Sequence, residues 1–378
     1  MKTITKTFNL NDIHNNDSNT NNTADNFINN SLCSEHTIFF DIETTGFSRK
    51  YCIVYLIGCM YYAGNELCYT QWLAENFNDE ANVLMAFHKF VQGFDTIIHF
   101  NGNAFDMPFV KERGEKYKLN FDFDNFKSID IYKPVSKLNH ILNMENQKQK
   151  SFEKLLGIKR QDPFSGGDLI EVFKQYVESK DERLLIPLLL HNKEDVFYMG
   201  KLLSLLSISD IFLGKYNVKN YRFNEFTDLN GDTAKELCIE LELNSSLPTK
   251  LSYNLEGVHF NGDGNLAHIS VSLINGTYKY FYNNYKDYYF LPLEDKAVHK
   301  SLARFVDNKH KKKATASTCY EKVTSEFLPL FDLKNEVFTK YLLNEFKDKT
   351  GCIKADTLNN STIKEYTAMI LKFIEKKH

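Results

Sequence analysis

Thr37-Ile38-Phe39-Phe40-Asp41-Ile42-Glu43-Thr44-Thr45-Gly46 joins a short apolar run to two carboxylates and a glycine. The run is partly β-branched and too short for a helix, which reads as a buried strand. Continued alternation puts Asp41 and Glu43 on one face of that strand and Ile42 on the other. Two carboxylates so placed repel each other unless a cation lies between them. Hard divalent ions such as Mg²⁺ take oxygen ligands, so the pair is half of a metal site. An isolated D-x-E is usually an exposed pair on an edge strand. Here the apolar run before it and the Thr-Thr-Gly turn after it favour the metal reading, and Gly46 lets the chain turn sharply and open space for a substrate.

Outward from this stretch, residues 51–62 and 66–73 read as two more strands with a turn at Gly64-Asn65. Val83, Leu84, Phe87 and Val91 have helical spacing over 79–92. A strand at Thr96–Phe100, a helix over 104–116 and a strand over 127–132 follow, and the chain to about Ile208 is helical in pattern. Antiparallel strands followed by alternating strands and helices make an α/β fold of ribonuclease H-like order, a mixed sheet flanked by helices.

Two further motifs fall at element ends. His99-Phe100-Asn101-Gly102-Asn103-Ala104-Phe105-Asp106 leads from strand to helix and sets Asp106 near a helix N-terminus, where the dipole favours a carboxylate. His191-Asn192-Lys193-Glu194-Asp195 lies late in the helical region, with His191 and Asp195 four apart on one face. Taken singly, the first is a first-turn helix acid and the second a solvated stripe or a core histidine. Taken in order, D-x-E-T-T-G, N-G-x-x-F-D and H-N-x-x-D are far more specific. Asp130, at the end of its strand, is expected to support the site or cap the next helix, and Gly166-Gly167 to form a turn.

These motifs resemble the DEDD exonuclease superfamily, and within it the YprB-like ribonuclease H-like proteins of bacteria, to which His191-Asn192-Lys193-Glu194-Asp195-Val196 and Lys154-Leu155-Leu156-Gly157-Ile158 are similar. The resemblance covers about residues 36–208 and extends more weakly to Tyr288–Lys300 and Cys319-Tyr320. It implies Asp41, Glu43, Asp106 and Asp195 as ligands of two Mg²⁺ or Mn²⁺ ions, and His191 as the catalytic base. It also implies 3′–5′ exonuclease activity on single-stranded DNA or RNA, releasing nucleoside 5′-monophosphates. His191 stands four residues before the last Asp, a spacing at which some members carry Tyr. Thr44, Asn101 and Asn103 are expected substrate-binding groups. Phe47 is expected to stack against a base, and Phe105 to do so or to belong to the core. The alternatives are a catalytically silent nucleic-acid-binding module of the same fold, for which four carboxylates have no chemical need, and a structure-specific endonuclease.

Composition is compatible with this. The 378 residues are 43% hydrophobic and 25% charged, enough for a sizeable core and two domains. Residues 1–35 are Asn-rich and read as a flexible tail, 36–208 as the ribonuclease H-like domain, and 215–378 as a C-terminal α+β extension. Tyr, Phe and Asn with turn signals make 250–292 a β meander, and the pattern after Leu293 reads as helical. From Lys215 onward there are 24 Lys and Arg against 21 Asp and Glu; before it there are 22 against 28. An acidic catalytic part would repel a polyanion except at its metals. Lys296, Lys300 and Arg304 are expected on one helical face, and Lys311, Lys312 and Lys313 are expected to hold a nucleic-acid backbone. Seven cysteines without CxxC spacing argue against a disulfide framework or zinc ribbon and for a reducing, cytoplasmic setting. No segment reads as a signal peptide or membrane span.

Overall fold

The computed structural model of the protein describes residues 1–9, 34–64, 66–227, 231 and 233–376. The chain divides into two compact units, Met1–Ser209 with Leu247–Thr249, and Asp210–Ser246 with Lys250–His378.

The first unit is built on strands β1 (Lys2–Asn9), β2 (Thr37–Thr44), β3 (Val54–Ala63), β4 (Glu66–Leu73), β5 (Thr96–His99) and β6 (Lys127–Asp130). They form one sheet in the order β1-β4-β3-β2-β5-β6. β2, β3 and β4 are antiparallel neighbours, and β5 and β6 continue parallel to β2. This mixed sheet, flanked by helices, is the ribonuclease H-like fold expected of the sequence. The helices are α1 (Glu80–Val91), α2 (Asp106–Lys116), α3 (Tyr132–Ser136), α4 (Asn139–Leu142), α5 (Gln149–Leu155), α6 (Gly166–Ser179) and α7 (Leu185–Leu202), with α8 (Leu206–Phe212) after them.

Residues 2–9, expected in the tail, instead form β1, which pairs with β4 from Lys2 opposite Leu73 to Asn9 opposite Glu66. An edge strand needs little apolar surface, because one side of its backbone faces solvent, so its polar composition hides it. Residues 10–33 lie outside the described residues. Gly166 and Gly167 are not a turn. They open α6 behind a capping box made by Ser165 and Asp168.

Beneath the motif strand lies a core that includes Ile38, Phe40, Ile42, Phe87, Phe109 and Phe121. A buried charge cluster ties it to the loop after the motif. Glu80 accepts Arg113 Nε at 2.7 Å and Nη2 at 2.5 Å, Tyr117 Oη at 2.8 Å and the Val54 amide at 2.9 Å. Arg113 Nη1 also donates to the carbonyls of Arg49 and Lys50.

In the second unit, β7 (Tyr216–Thr227), β8 (Thr233–Leu243), β9 (Leu251–Leu255), β10 (Val258–Asp263) and β11 (Leu266–Ser272) form a five-stranded sheet in the order β7-β8-β11-β10-β9. Two three-stranded sheets follow, β12-β16-β17 and β14-β13-β15, from β12 (Ile274–Phe281), β13 (Tyr288–Leu291), β14 (Lys296–His299), β15 (Lys312–Lys313), β16 (Tyr320–Leu330) and β17 (Gly351–Lys354). The helical pattern expected after Leu293 therefore holds only for the short α9 (Lys300–Ala303) and for α10 (Ile363–Lys376), where Ile363, Tyr366, Ile370 and Ile374 bury one face. Lys296, Lys300 and Arg304 do not share a helical face. Lys296 begins β14, Lys300 begins a one-turn helix, and Arg304 caps it.

Replacing Arg113 with Met would leave Glu80 as an uncompensated buried charge. Arg113→Met should lower stability by about 3–5 kcal/mol in denaturant unfolding; a change below about 1 kcal/mol, the range of an exposed pair, would show that the pair is solvated.

Candidate metal centre

Strand alternation places Asp41 and Glu43 as expected, and the neighbouring strands explain how a helix is seated over them. Across the sheet, Asp41 is level with Gly58 of β3, and Gly58 with Gln71 of β4. Asn192 of α7 lies on this row. Its Nδ2 donates to Asp41 Oδ2 at 3.0 Å and to the Asp41 carbonyl at 3.3 Å, and its Oδ1 accepts Gln71 Nε2 at 2.9 Å. Gln71 Nε2 also donates to the Leu189 carbonyl at 3.0 Å. A Cβ at position 58 would stand 2.0 Å from Asn192 Oδ1, so only glycine allows this approach.

With α7 seated there, His191 just before Asn192 and Asp195 one turn after His191 face Glu43. His191 Nε2 is 3.3 Å from Asp195 Oδ2 and 3.7 Å from Glu43 Oε1. One ligand atom from each of Glu43, His191 and Asp195 lies within 4.8 Å of the others. Glu43 Oε1 is buried and has no hydrogen-bond partner among the described residues. Asp106, the first residue of α2, is buried, and its Oδ1 accepts the Ile42 amide at 3.2 Å.

The carboxylates are held against their own charge. Loss of solvent, then the charges of Asp195, Asp106 and Glu43, push Asp41 well above the usual range. Burial, then Asp195, Asp106 and Asp162, do the same to Glu43. Burial pushes Asp106 up to about 7, against the opposing bond from the Ile42 amide. A site of this kind favours a bound cation: an oxygen without a partner, several acids forced toward neutrality, and a mixed set of carboxylate oxygens and an imidazole.

Residues 38–207 match the family model of the RNase_H superfamily. This part of the chain has the ribonuclease H-like fold. No curated protein matches the chain. Among solved structures, it is similar to the family B DNA polymerase of the hyperthermophilic archaeon Pyrobaculum calidifontis, with 20% identity and a TM-score of 0.37 over 47% of this chain and 26% of that one. It is also similar to exonuclease I of E. coli in complex with a dT13 oligonucleotide, with 10% identity and a TM-score of 0.32 over 56% of this chain and 55% of that one. The chain thus spans about a quarter of the polymerase and about half of the exonuclease.

The other expected groups have mixed fates in the ribonuclease H-like domain. Asn101, in a left-handed backbone conformation at φ 64°, lines a cleft of about 380 Å³ with Asp41, Asp106, Phe100, Phe105 and Tyr132. Asn103 is tied down, its Oδ1 accepting Ser128 Oγ at 2.8 Å, and Thr44 Oγ1 donates to the Gly46 carbonyl at 2.9 Å. Phe105 both lines the cleft and packs on the core, and the exposed Phe47 meets it edge-on, ring centroids 6.2 Å apart. Asp130 Oδ1 accepts the amides of Tyr132 and Lys133 at the start of α3, at 3.0 and 3.3 Å, and that of Asn101 at 3.0 Å. His99 is structural. Its Nδ1 accepts the Gly102 amide, and burial lowers its pKa to about 4. In the second unit, Lys311 Nζ donates to the carbonyls of Ala303 and Val306, a structural tie that leaves exposed Lys312 and Lys313 of β15 as the free part of that basic run.

Sequence reasoning missed Gly58, Gln71, Asn192, Glu153, Arg160 and Asp162. Arg160 Nη2 contacts Asp195 Oδ1, which leaves Oδ2 toward His191, while Arg160 Nε and Nη2 hold Glu153 at 2.5 and 2.9 Å. Only Asn192 lay inside a motif, and the others come together through cross-strand register and loop closure.

The Asp106 shift sets a pH dependence. Its folded value of about 7 lies above that of an unfolded aspartate, so between the two the folded state holds a proton the unfolded state has released, and stability falls as pH rises. In metal-free protein, Asp106→Asn should therefore gain on wild type by up to about 1.4 kcal/mol per pH unit over this window. Thermal unfolding of both proteins across the window measures it; a difference that stays flat would contradict the shift.

Proposed function

We propose that the ribonuclease H-like domain is a two-metal-ion 3′–5′ exonuclease of the DEDD type, close to the YprB-like proteins, acting on single-stranded DNA or RNA. The observation that carries this reading is that Asp41, Glu43, Asp106 and Asp195 lie within reach of one another's charge, with a buried oxygen that has no hydrogen-bond partner among the described residues and an imidazole beside them. These four carboxylates would hold two Mg²⁺ or Mn²⁺ ions, which supply Lewis acidity at the scissile phosphate and make the attacking water more acidic.

The chain's own residues do the rest. His191 Nε2, beside Glu43 and Asp195, takes the proton of the water as its oxygen bonds to phosphorus. The bond from phosphorus to the 3′ oxygen breaks with its electron pair going to that oxygen, which collects a proton from solvent, and the product is a nucleoside 5′-monophosphate. Asn101, Phe105 and Tyr132 line the cleft for the terminal nucleotide, and the exposed Phe47 offers a ring for stacking. In the second unit, Lys312 and Lys313 would neutralise phosphates of a longer strand.

Asp41→Ala or Asp195→Ala should abolish cleavage of 5′-labelled single-stranded DNA and RNA in Mg²⁺ or Mn²⁺ while the fold is kept. Wild type should give a ladder shortened from the 3′ end that EDTA stops. Full activity in either variant would remove the site assignment, and internal cuts alone would favour an endonuclease. Reversing Lys312 and Lys313 to Glu should flatten the salt dependence of single-strand binding by about 0.7 in log–log slope for each lost contact; an unchanged slope would make this run a solvated surface.

A further inference from the structure

Arg160-Gln161-Asp162 lies outside the three motifs, yet it reaches the heart of the site. The Asp162 side chain has no exposed surface. Its Oδ2 is 2.6 Å from His191 Nδ1 and 2.7 Å from Lys150 Nζ, and its Oδ1 accepts the Phe164 amide at 3.0 Å. Arg160 Nη1 stands further off, 3.7 Å from Oδ2. The hydrogen between Asp162 and His191 belongs to the imidazole, because two bare acceptors at 2.6 Å would repel. The carboxylate has no proton to give. Burial pushes it upward, but Lys150, the Phe164 amide and His191 outweigh that and hold it below the usual range. The pair is also anchored to one helix. Glu194, three residues after His191 on α7, accepts the amides of Gln161 and Asp162 at 3.0 Å each. With Nδ1 so engaged, the ring presents Nε2 to Glu43 and Asp195.

We propose that Asp162 is a positioning residue. By accepting Nδ1–H it fixes the tautomer and ring plane of His191, so that Nε2 is the nitrogen free to take a proton in the site. This rests on the nuclease reading for its catalytic meaning, but not for its geometry. A carboxylate serving only as counterion to Lys150 would have no reason to sit against the imidazole with its other oxygen already accepting the Phe164 amide.

Nitrogen-15 histidine NMR of the full chain tests it, with the His191 ring assigned by its loss in His191→Gln. Nδ1 should carry a proton both in metal-free protein and with Mg²⁺, its proton resonance moved downfield by the hydrogen bond to Asp162. In Asp162→Ala that resonance should vanish, and kcat should fall about 10²-fold, the lower end of what a general base contributes, with KM unchanged. Asp162→Asn keeps the side-chain volume and should lose activity as Ala does; full activity in Asn would reduce the role to packing and overturn the proposal. A wild-type Nδ1 without a proton would overturn it with no variant needed. If wild type cleaves neither single-stranded DNA nor RNA in Mg²⁺ or Mn²⁺, the nuclease reading fails while the ring-nitrogen assignment stands, so the two failures are distinct.

Discussion

Asn192 seated over Gly58 is the contact on which the site depends. A helix can approach a sheet closely only where side chains between them are small or specifically bonded, and this row supplies both: no side chain at position 58, and amide bonds to Asp41 on one side and Gln71 on the other. The three residues come from three adjacent strands, so the seat fixes the rotation of α7 as well as its height. Rotation matters because His191 and Asp195 point at Glu43 only when Asn192 points at the sheet. A buried amide with both ends bonded is costly to misplace, since any other register would leave its donor and acceptor desolvated. The face of α7 that carries His191 and Asp195 and the face of β2 that carries Asp41 and Glu43 are thereby brought to one register.

What this register gathers is unfavourable by itself. Four acids lie within reach of one another's charge, and three of them are driven toward neutrality by lost solvent and by one another. The surrounding protein offsets the repulsion incompletely. The Ile42 amide, the Asn192 amide and Arg160 each bond one carboxylate, whereas Glu43 Oε1 has no hydrogen-bond partner among the described residues. Strain of this kind is characteristic of sites built for a cation. Arg160 is instructive here: it satisfies one oxygen of Asp195 and Glu153 behind it, and leaves the other Asp195 oxygen toward His191.

Much of this was legible in the sequence because it rests on local periodicity. Strand alternation announced the shared face of Asp41 and Glu43, helical spacing announced that of His191 and Asp195, and the turn after β5 announced Asp106 at a helix start. The missing parts are non-local. Gly58 reads as an unremarkable strand residue until the register sets it opposite Asp41, and Asp162 reads as a loop acid until Glu194 draws its backbone in. Edge strand β1 was hidden because a polar edge carries no apolar signature, and β16 because Tyr320–Leu330 mixes charged and apolar residues, several of them partly exposed. The basic run 311–313 showed how charge alone misleads. Lys311 serves the end of a one-turn helix, while its two neighbours face solvent.

An acidic cluster with these burdens is suited to divalent cations. Calorimetric titration of metal-free protein with Mn²⁺ tests it directly, because it needs neither substrate nor an assumed reaction. Saturable binding of two ions per chain is expected, lost when Asp41 or Asp195 becomes Asn, with the apo protein's thermal stability rising as the sites fill. Absence of binding, or binding that survives both substitutions, would contradict it.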